Sequence, residues 1–210
     1  MNIFISGQKY FGECVLRDVL SAGHNVVGVC CPIGDKYIGG LANINGINIV
    51  PSGSLNHEVF PDNVDLGITA HSFDYIGKKT RYKAKIGWIG YHPSLLPRHR
   101  GKSAIEWAIR MKDVVTGGSV YWLNGGIDRG DIERQEWIWL SHNKDAKDVW
   151  REELLPIGRK LIKSAVLDIS KGIINKTPQN NVFSTFEPSL DNIRDIYKPD
   201  LLMLKHPANA

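Results

Sequence analysis

The sequence is poor in cysteine and has no long apolar run. Its three cysteines, Cys14, Cys30 and Cys31, are an odd number without CxxC spacing, which fits neither a disulfide framework nor a metal site. An adjacent pair within an apolar run is typical of buried free thiols. No run approaches the ~18 apolar residues of a spanning helix, and the first residues lack the basic and apolar regions of a signal peptide. We therefore expect no bound metal, no membrane partner and a cytoplasmic location.

Excess charge of one sign is also lacking. The chain has 26 Lys and Arg against 22 Asp and Glu, a formal net charge of +4, so a nucleic-acid partner is not expected. The first glycine turn, 7–12, reads GQKYFG. Because this is not the GxGxxG pattern, a dinucleotide site is not expected there either.

What is present is the pattern of one α/β domain. Among the 210 residues, 42% are hydrophobic and 23% are charged, which is typical of globular proteins. The apolar run 2–6 ends at Gly7, helical spacing follows over 11–22, and 26–30 is a β-branched run without alternation, as in a buried parallel strand. This order predicts a Rossmann-like, mostly parallel twisted sheet with helices on both faces.

The remaining elements are predicted in the same way. Further strands are expected at 64–70, 86–91, 118–123 and 136–140, and a helix at 103–111. Apolar residues at three- and four-residue steps predict a long helix over 146–169, with a kink near Pro156. Residues 177–210 are too poor in apolar side chains to form a core. The predicted organisation is a domain over 1–176 and an irregular C-terminal tail over 177–210.

Two loops could carry chemistry. The segment 90–101 reads GYHPSLLPRHRG and follows a predicted strand, so His92 should lie at a carboxyl end, where ligands bind in open α/β sheets. An imidazole there can act as acid or base, although the residues alone also allow His92 merely to hydrogen-bond the loop backbone. The second loop, NGGIDRGDI over 124–132, follows another strand and presents Asp128.

Together these motifs resemble the formyltransferase family that uses 10-formyltetrahydrofolate. The pattern of that family is Asn-x-His followed by Ser-Leu-Leu-Pro, and later an Asp in an Asp-x-Gly-x-Ile loop. Within the family the chain is most similar to the hydrolase domain of 10-formyltetrahydrofolate dehydrogenase. The shared residues are Gly7-Gln8 with Phe11-Gly12 in the first turn, YHPSLLPRHRG at 91–101 and GIDRGD at 126–131.

The resemblance implies a formyltransferase-type catalytic domain over 1–176, which transfers the formyl group of 10-formyltetrahydrofolate to a small amine. His92 and Asp128 would be the catalytic pair, with His92 stabilising the developing oxyanion as an imidazolium and Asp128 supporting its charge and helping to carry a proton. The folate-binding residues implied are Phe73, Asp74, Tyr75, Ile76, Leu123, Asn124, Gly125, Gly126 and Ile127. The first turn, Gly7, Gln8, Lys9 and Tyr10, would face the formyl acceptor. A core role for Phe73 and Ile76 stays open.

Gly90 departs from the family pattern, because it stands where the family has its catalytic asparagine. A glycine offers no amide to the formyl oxygen, and losing one oxyanion donor costs a rate factor of about 10² to 10³. Two alternatives therefore stay open: a hydrolase that releases formate to water, and a folate-binding protein with little turnover. Asn124 is one candidate for a replacement donor. A tRNA acceptor is not expected, since the tRNA-directed members carry a further C-terminal domain.

A run of cations lies along the chain between the first turn and the segment 90–101. Its members are Lys78, Lys79, Arg81, Lys83 and Lys85. Such a run is typical of a solvated face. Beside a bound folate it would instead attract the carboxylates of the glutamate tail.

Overall fold

The structure is a computed structural model that describes residues 1–141 and 143–190. Its strands are β1 (Asn2–Gly7), β2 (Asn25–Cys31), β3 (Ile49–Pro51), β4 (Leu66–Ala70), β5 (Gly87–His92), β6 (Val115–Trp122) and β7 (Ile132–Trp139). They form one seven-stranded sheet in the order β3-β2-β1-β4-β5-β6-β7. The first five strands are parallel, and β6 and β7 are added antiparallel at one edge. The predicted mostly parallel α/β sheet is confirmed.

The helices are α1 (Lys9–Ser21), α2 (Ile38–Ile44), α3 (Lys78–Lys83), α4 (Ala104–Arg110), α5 (Ala146–Val149) and α6 (Leu155–Ser170), with a π-helix at Trp150–Leu154 and a 3-10 helix at Asn181–Phe183. The short elements α2, β3 and α3 are additions to the predicted set. Strand β7 begins four residues before the predicted strand 136–140. No helix within the described residues has the length and apolar character needed to cross a membrane.

The predicted long helix over 146–169 is divided rather than regular. Its α-helical parts, α5 and α6, are joined by the π-helical turn, which ends two residues before Pro156. Proline has no backbone N–H and its ring crowds the preceding turn, and a π-turn is one of the usual ways in which a helix accommodates such an interruption. The carbonyl of Leu154, at the end of that turn, accepts a hydrogen bond from the Tyr91 hydroxyl at 2.7 Å.

Both faces of the sheet are covered, as alternate residues of its strands show. Ile3 and Ile5 belong to one buried cluster, which includes side chains of α1, α2, α4 and α6. Phe4 and Trp88 belong to a second cluster on the opposite face, together with Phe60 and residues that flank α3. Because strand side chains alternate between faces, the central strands read as continuous apolar runs.

All three cysteines are buried and unpaired. Burial, with the charge of Asp74 nearby, raises the pKa of the Cys30 thiol to about 12. Burial beside Asp35 raises the pKa of Cys31 to about 11. Because the thiolate is the reactive form, these residues act as small apolar side chains of the core.

The C-terminal strap, which we define as residues 177–190, runs along the edge of the sheet. Thr177 forms an isolated bridge with Ile132, and Phe186 forms another with Arg100. Apart from its 3-10 helix the strap is irregular, yet it packs against the loop that follows β5. The rest of the predicted tail, 191–210, lies outside the described residues.

Candidate active site

His92 is the last residue of β5, so the strand delivers it to the carboxyl edge of the sheet as the sequence predicts. Its side chain is only 8% exposed. β5 lies between β4 and β6 in the sheet, at the point where the parallel strands meet the antiparallel pair. In sheets of this kind the crevice at such a carboxyl edge is where ligands bind.

Asp128 lies in the loop between β6 and β7, with its backbone in the left-handed region at φ 50°. Its Oδ1 accepts a hydrogen bond from the Tyr121 hydroxyl at 2.6 Å, and its Oδ2 accepts one from the Gly101 N–H at 2.8 Å. The pKa of Tyr121 is raised well above its ordinary value, by burial first and then by the charge of Asp128. Tyr121 therefore stays protonated and acts as a donor to the carboxylate.

The contacts of His92 identify the ring nitrogen that can exchange a proton. Nε2 lies 2.6 Å from the carbonyl oxygen of His99, and because a carbonyl only accepts, Nε2 must carry a hydrogen. Nδ1 lies 3.5 Å from Oδ2 of Asp128. When Nδ1 is also protonated, both N–H groups face an acceptor. The Nε2 side of the ring thus faces the His99 carbonyl, and the Nδ1 side faces the Asp128 carboxylate.

Gly90 lies two residues before His92 on the same face of β5, and its missing side chain has a steric cause. A Cβ built there would lie 2.4 Å from Oγ1 of Thr69 and 3.1 Å from Cδ1 of Leu123. Thr69 is the in-register partner of Gly90 on β4, and it is half-buried although β4 is a central strand. The space beside His92 that a side chain at position 90 would enter is therefore occupied by the Thr69 hydroxyl.

The segment 73–76 divides into exposed and structural side chains. Phe73 is 67% exposed and Tyr75 is 75% exposed, whereas Ile76 is buried in the second core cluster. The Asp74 carboxylate accepts hydrogen bonds from the Gly53 N–H at 2.6 Å and from the Ser52 hydroxyl at 2.9 Å. Asp74 thus ties this segment to 52–53, Ile76 anchors it, and Phe73 is presented to solvent.

The loop 123–127 leads from the end of β6 to Asp128. Leu123 is half-buried against Gly90, while Ile127 is 60% exposed. Asn124 is exposed, and its Oδ1 caps the Gly126 N–H at 2.8 Å. Gly125 is exposed as well. The Asn124 Oδ1 therefore has a local role in shaping the loop, whereas a replacement for the missing amide would use the Nδ2–H groups.

The first turn lies at the same edge of the sheet. A Cβ at Gly7 would lie 2.6 Å from the Ala70 carbonyl oxygen, and the Gln8 N–H donates to that oxygen at 3.3 Å. Lys9 has a positive φ of 55°, and its N–H donates to Asp35 at 2.8 Å. Tyr10 is 52% exposed. The turn thus lies next to the end of β4, and Tyr10 projects from it.

The cation run forms α3 and is largely used within the protein. The Arg81 guanidinium donates to the Ile76 carbonyl at 2.5 Å, and the Lys83 ammonium donates to the carbonyls of His57 and Phe60 at 2.8 and 2.7 Å. Lys85 pairs with Asp65 at 2.9 Å. Arg81, Lys83 and Lys85 therefore have hydrogen-bond or ion-pair partners within the protein, and the Lys78 ammonium lies over the Tyr82 ring at 5.8 Å. The exposed members are Lys78, Lys79 and Lys85.

Several residues of the site are missed by reasoning from the sequence. Tyr121, Gly101 and His99 contact His92 or Asp128 directly, and Gln179 of the strap contacts the backbone of Asp128 at 2.9 Å. The sequence does give an indication for Tyr121, because a tyrosine inside a buried strand needs a hydrogen-bond partner for its hydroxyl. Gln179 had none, since its partners are far away in the chain.

Comparison with known proteins places this geometry in a family. Residues 52–166, more than half of the chain, match the family described as Formyl transferase. The chain is 32% identical over 203 residues to the cytosolic 10-formyltetrahydrofolate dehydrogenase of Xenopus laevis. That match covers 90% of this chain and 22% of the relative, so the chain spans about a fifth of the length of that protein.

A second relative and a solved structure extend the comparison. The chain is 28% identical over 211 residues to the methionyl-tRNA formyltransferase of Lactobacillus delbrueckii subsp. bulgaricus, covering 92% of the chain and 66% of the relative. The N-formyltransferase of Helicobacter canadensis, solved with folinic acid and dTDP-3-aminofucose, matches with a TM-score of 0.76 at 21% identity, over 92% of this chain and 72% of that one. Its low identity supports the fold alone. The extent of the family match confirms what the two motifs resemble: the chain belongs to the formyl transferase family.

Proposed function

We propose that the protein transfers the formyl group of 10-formyltetrahydrofolate to a small amine. The observation that carries the proposal is the His92–Asp128 pair at the carboxyl edge of the sheet, with Nδ1 of His92 3.5 Å from the carboxylate. Relatives support the chemistry: one is named a methionyl-tRNA formyltransferase, and a structural neighbour was solved with folinic acid and an amino sugar nucleotide.

The residues around the pair fit a folate. Apolar side chains stand exposed on both proposed walls, with Phe73 67% exposed on one and Ile127 60% exposed on the other. Small-molecule sites are lined mainly by apolar and aromatic side chains. We propose that the segment 73–76 and the loop 123–127 hold the donor, whose contribution when bound is an activated formyl group. Gly7, Gln8, Lys9 and Tyr10 are proposed to face the acceptor.

His92 and Asp128 divide the work on charge and protons. His92, with Nε2–H held by the His99 carbonyl, keeps its ring orientation while Nδ1 gains or loses a proton. A protonated ring stabilises negative charge that develops on an oxygen nearby. The Asp128 carboxylate supports that positive charge, and it is itself held by Tyr121 and Gly101.

Hydrolysis is the second candidate function, and Gly90 is the observation that favours it. The position has no side chain, and Thr69 fills the space beside it. The relatives named 10-formyltetrahydrofolate dehydrogenase match over 90% of this chain. With water in place of the amine, the same pair would release formate. A folate-binding protein without turnover remains the alternative that the assay below must exclude.

One assay separates these functions. Purified protein is incubated with 10-formyltetrahydrofolate, with and without a panel of amines, and tetrahydrofolate, formate and formylated amine are quantified. Tetrahydrofolate with formylated amine indicates transfer, and tetrahydrofolate with formate indicates hydrolysis. Calorimetry with 5-formyltetrahydrofolate, a stable analogue of the donor, measures binding separately. Absence of binding heat and of any thermal shift at high ligand concentration would refute the folate proposal, because a ligand of the native state stabilises it.

Variants of the pair test their roles. His92→Ala and Asp128→Ala should each remove most turnover with little change in folate binding, and the double variant should lose little more than either single one, because the two act as a unit. His57→Ala is the matched control, since only the backbone carbonyl of His57 is used, by Lys83. Losses that multiply in the double variant would contradict a shared proton-transfer role.

The location and the extent of the catalytic unit are also proposals. The relatives are named as cytosolic and mitochondrial proteins, and we propose the cytoplasm for this chain. We propose that the catalytic domain comprises 1–176 and is completed by the C-terminal strap, because Gln179 contacts Asp128.

A further inference from the structure

The strap residue Gln179 joins the two loops that carry the catalytic pair. Its Oε1 accepts hydrogen bonds from Nε and Nη2 of Arg100 at 3.1 and 2.6 Å. Its Nε2 donates to the carbonyl oxygens of Asp128 and Gly130 at 2.9 and 2.7 Å. A guanidinium only donates and a carbonyl only accepts, so the orientation of the carboxamide is determined by its partners. Both of its N–H groups are used.

These contacts close a ring through the site. His92 donates to the carbonyl of His99, and His99 is followed by Arg100, which donates to Gln179. Gln179 donates to the carbonyl of Asp128, and the Asp128 carboxylate faces His92. The distance between His92 and Asp128 is therefore set by two loops that Gln179 holds in register.

The strap is held by backbone contacts on both sides of Gln179. Two residues before it, Thr177 and Ile132 exchange backbone hydrogen bonds at 2.8 and 2.9 Å. Seven residues after it, Phe186 bridges to Arg100, whose N–H donates to the Thr185 carbonyl at 3.1 Å. Backbone pairing of the strap thus places Gln179, and the four hydrogen bonds of its carboxamide then fix the orientation of that group.

We propose that Gln179 is a positioning residue of the formyl-transfer site, acting through the backbone of Asp128 to keep that carboxylate opposite Nδ1 of His92. The inference rests on the proposed function. It assigns a role in turnover to a strap that sequence reasoning treats as an irregular tail. Gln179 is not a catalytic residue, since it reaches the pair only through Arg100 and the Asp128 carbonyl.

Two substitutions separate the halves of the contact. Gln179→Glu keeps oxygens that accept from Arg100 but removes both N–H donors, and it places a carboxylate against two carbonyl oxygens. Asn181→Ala is the matched control. The Asn181 Oδ1 accepts from the same Arg100 Nη2 at 2.8 Å but does not take part in the ring. If Gln179 served only to anchor Arg100, Gln179→Glu would leave turnover unchanged and Asn181→Ala would lower it.

The expected result is a split between turnover and binding. In Gln179→Glu, kcat should fall by about tenfold to a hundredfold, the scale of a displacement of about 1 Å in a catalytic group. The KM for 10-formyltetrahydrofolate and the Kd for 5-formyltetrahydrofolate should stay within about twofold, because uniform binding is not affected. Asn181→Ala should keep kcat within about twofold. The Gly101 N–H donates to the Asp128 carboxylate at 2.8 Å, so its hydrogen exchange measures how firmly that loop is held. The exchange should accelerate in Gln179→Glu and not in Asn181→Ala.

Other outcomes overturn the proposal. The proposal fails if Gln179→Glu keeps the kcat of the parent, or if Asn181→Ala loses as much kcat as Gln179→Glu. It also fails if kcat falls only in proportion to the fraction of protein that still binds 5-formyltetrahydrofolate. A parent that binds 5-formyltetrahydrofolate but turns over no donor refutes the proposed enzymatic function instead. In that case the hydrogen exchange of Gly101 tests whether Gln179 positions the two loops. Unchanged exchange in Gln179→Glu would refute that positioning role.

Discussion

An alanine at position 90 tests why the catalytic strand carries a glycine next to His92. φ at Gly90 is not positive, so the backbone itself accepts any residue. The obstacle is the neighbouring strand, because a Cβ would lie 2.4 Å from Oγ1 of Thr69. That distance is about 1 Å short of an ordinary contact of 3.4 Å. A threonine in a strand has few alternative rotamers into which its hydroxyl could retreat.

The expected cost follows from two opposing effects. Overpacking a well-packed site costs about 1–3 kcal/mol, and replacing a strand glycine by alanine gains about 0.5–1 kcal/mol from the unfolded chain. We expect Gly90→Ala to lower the free energy of unfolding by about 1–2 kcal/mol. At roughly 2–4 °C per kcal/mol for a chain of this size, Tm should fall by roughly 2–8 °C.

Urea unfolding of four variants measures the effect. Gly40→Ala is the matched control, because a Cβ there meets nothing within 4 Å, and it should stabilise the protein by about 0.5–1 kcal/mol. Thr69→Ala should relieve most of the cost in the Gly90→Ala background, giving a coupling of about 1 kcal/mol or more. If Gly90→Ala is as stable as the parent, or if Thr69→Ala gives no relief, the space beside His92 is not occupied as described.

Two further perturbations act on charged groups. Tyr121→Phe removes the hydroxyl that donates to Asp128 at 2.6 Å. The free energy of unfolding should therefore fall by about 1.5–3 kcal/mol, and turnover should fall with it. If urea unfolding and the formyl-transfer assay both give the values of the parent, the contact is refuted. The pKa of Asp65 is held below its usual range, first by the Asn2 N–H and then by Lys85. Its contribution is therefore present above the unfolded pKa of about 3.9 and lost as pH falls through the lower folded value. Unfolding free energies of Asp65→Asn and the parent should differ at neutral pH and converge in acid, and a difference independent of pH would contradict this assignment.

The strands and the place of His92 at a strand end could be predicted because their signals are local. The runs at 2–6, 26–30 and 86–91 are apolar without alternation, and each is a buried strand in the structure. His92 ends such a strand. Asp128 lies six residues beyond the end of β6, which is antiparallel to β5, so the topology alone does not bring the two residues together. The short elements α2 and β3 have no comparable signal, because seven and three residues are too few for a period to show.

The partners of the pair could not be predicted, because they depend on contacts distant in the chain. Gln179 and Arg100 are 79 residues apart, and nothing in either local sequence indicates the other. The cation run illustrates a second limit. Its composition is that of a solvated face, yet Lys83 is held by two backbone carbonyls that only the folded chain brings near.

The strap has a consequence for synthesis on the ribosome. The His99 N–H bonds to Thr185, 86 residues further along the chain, and at about 5–20 residues per second that separation corresponds to roughly 4 to 17 seconds of translation. During this interval β1 to β7 can pair, but the loop after His92 lacks its contacts with the strap. A nascent chain could therefore complete its sheet well before the surroundings of His92 and Asp128 acquire their contacts with residues 177–190.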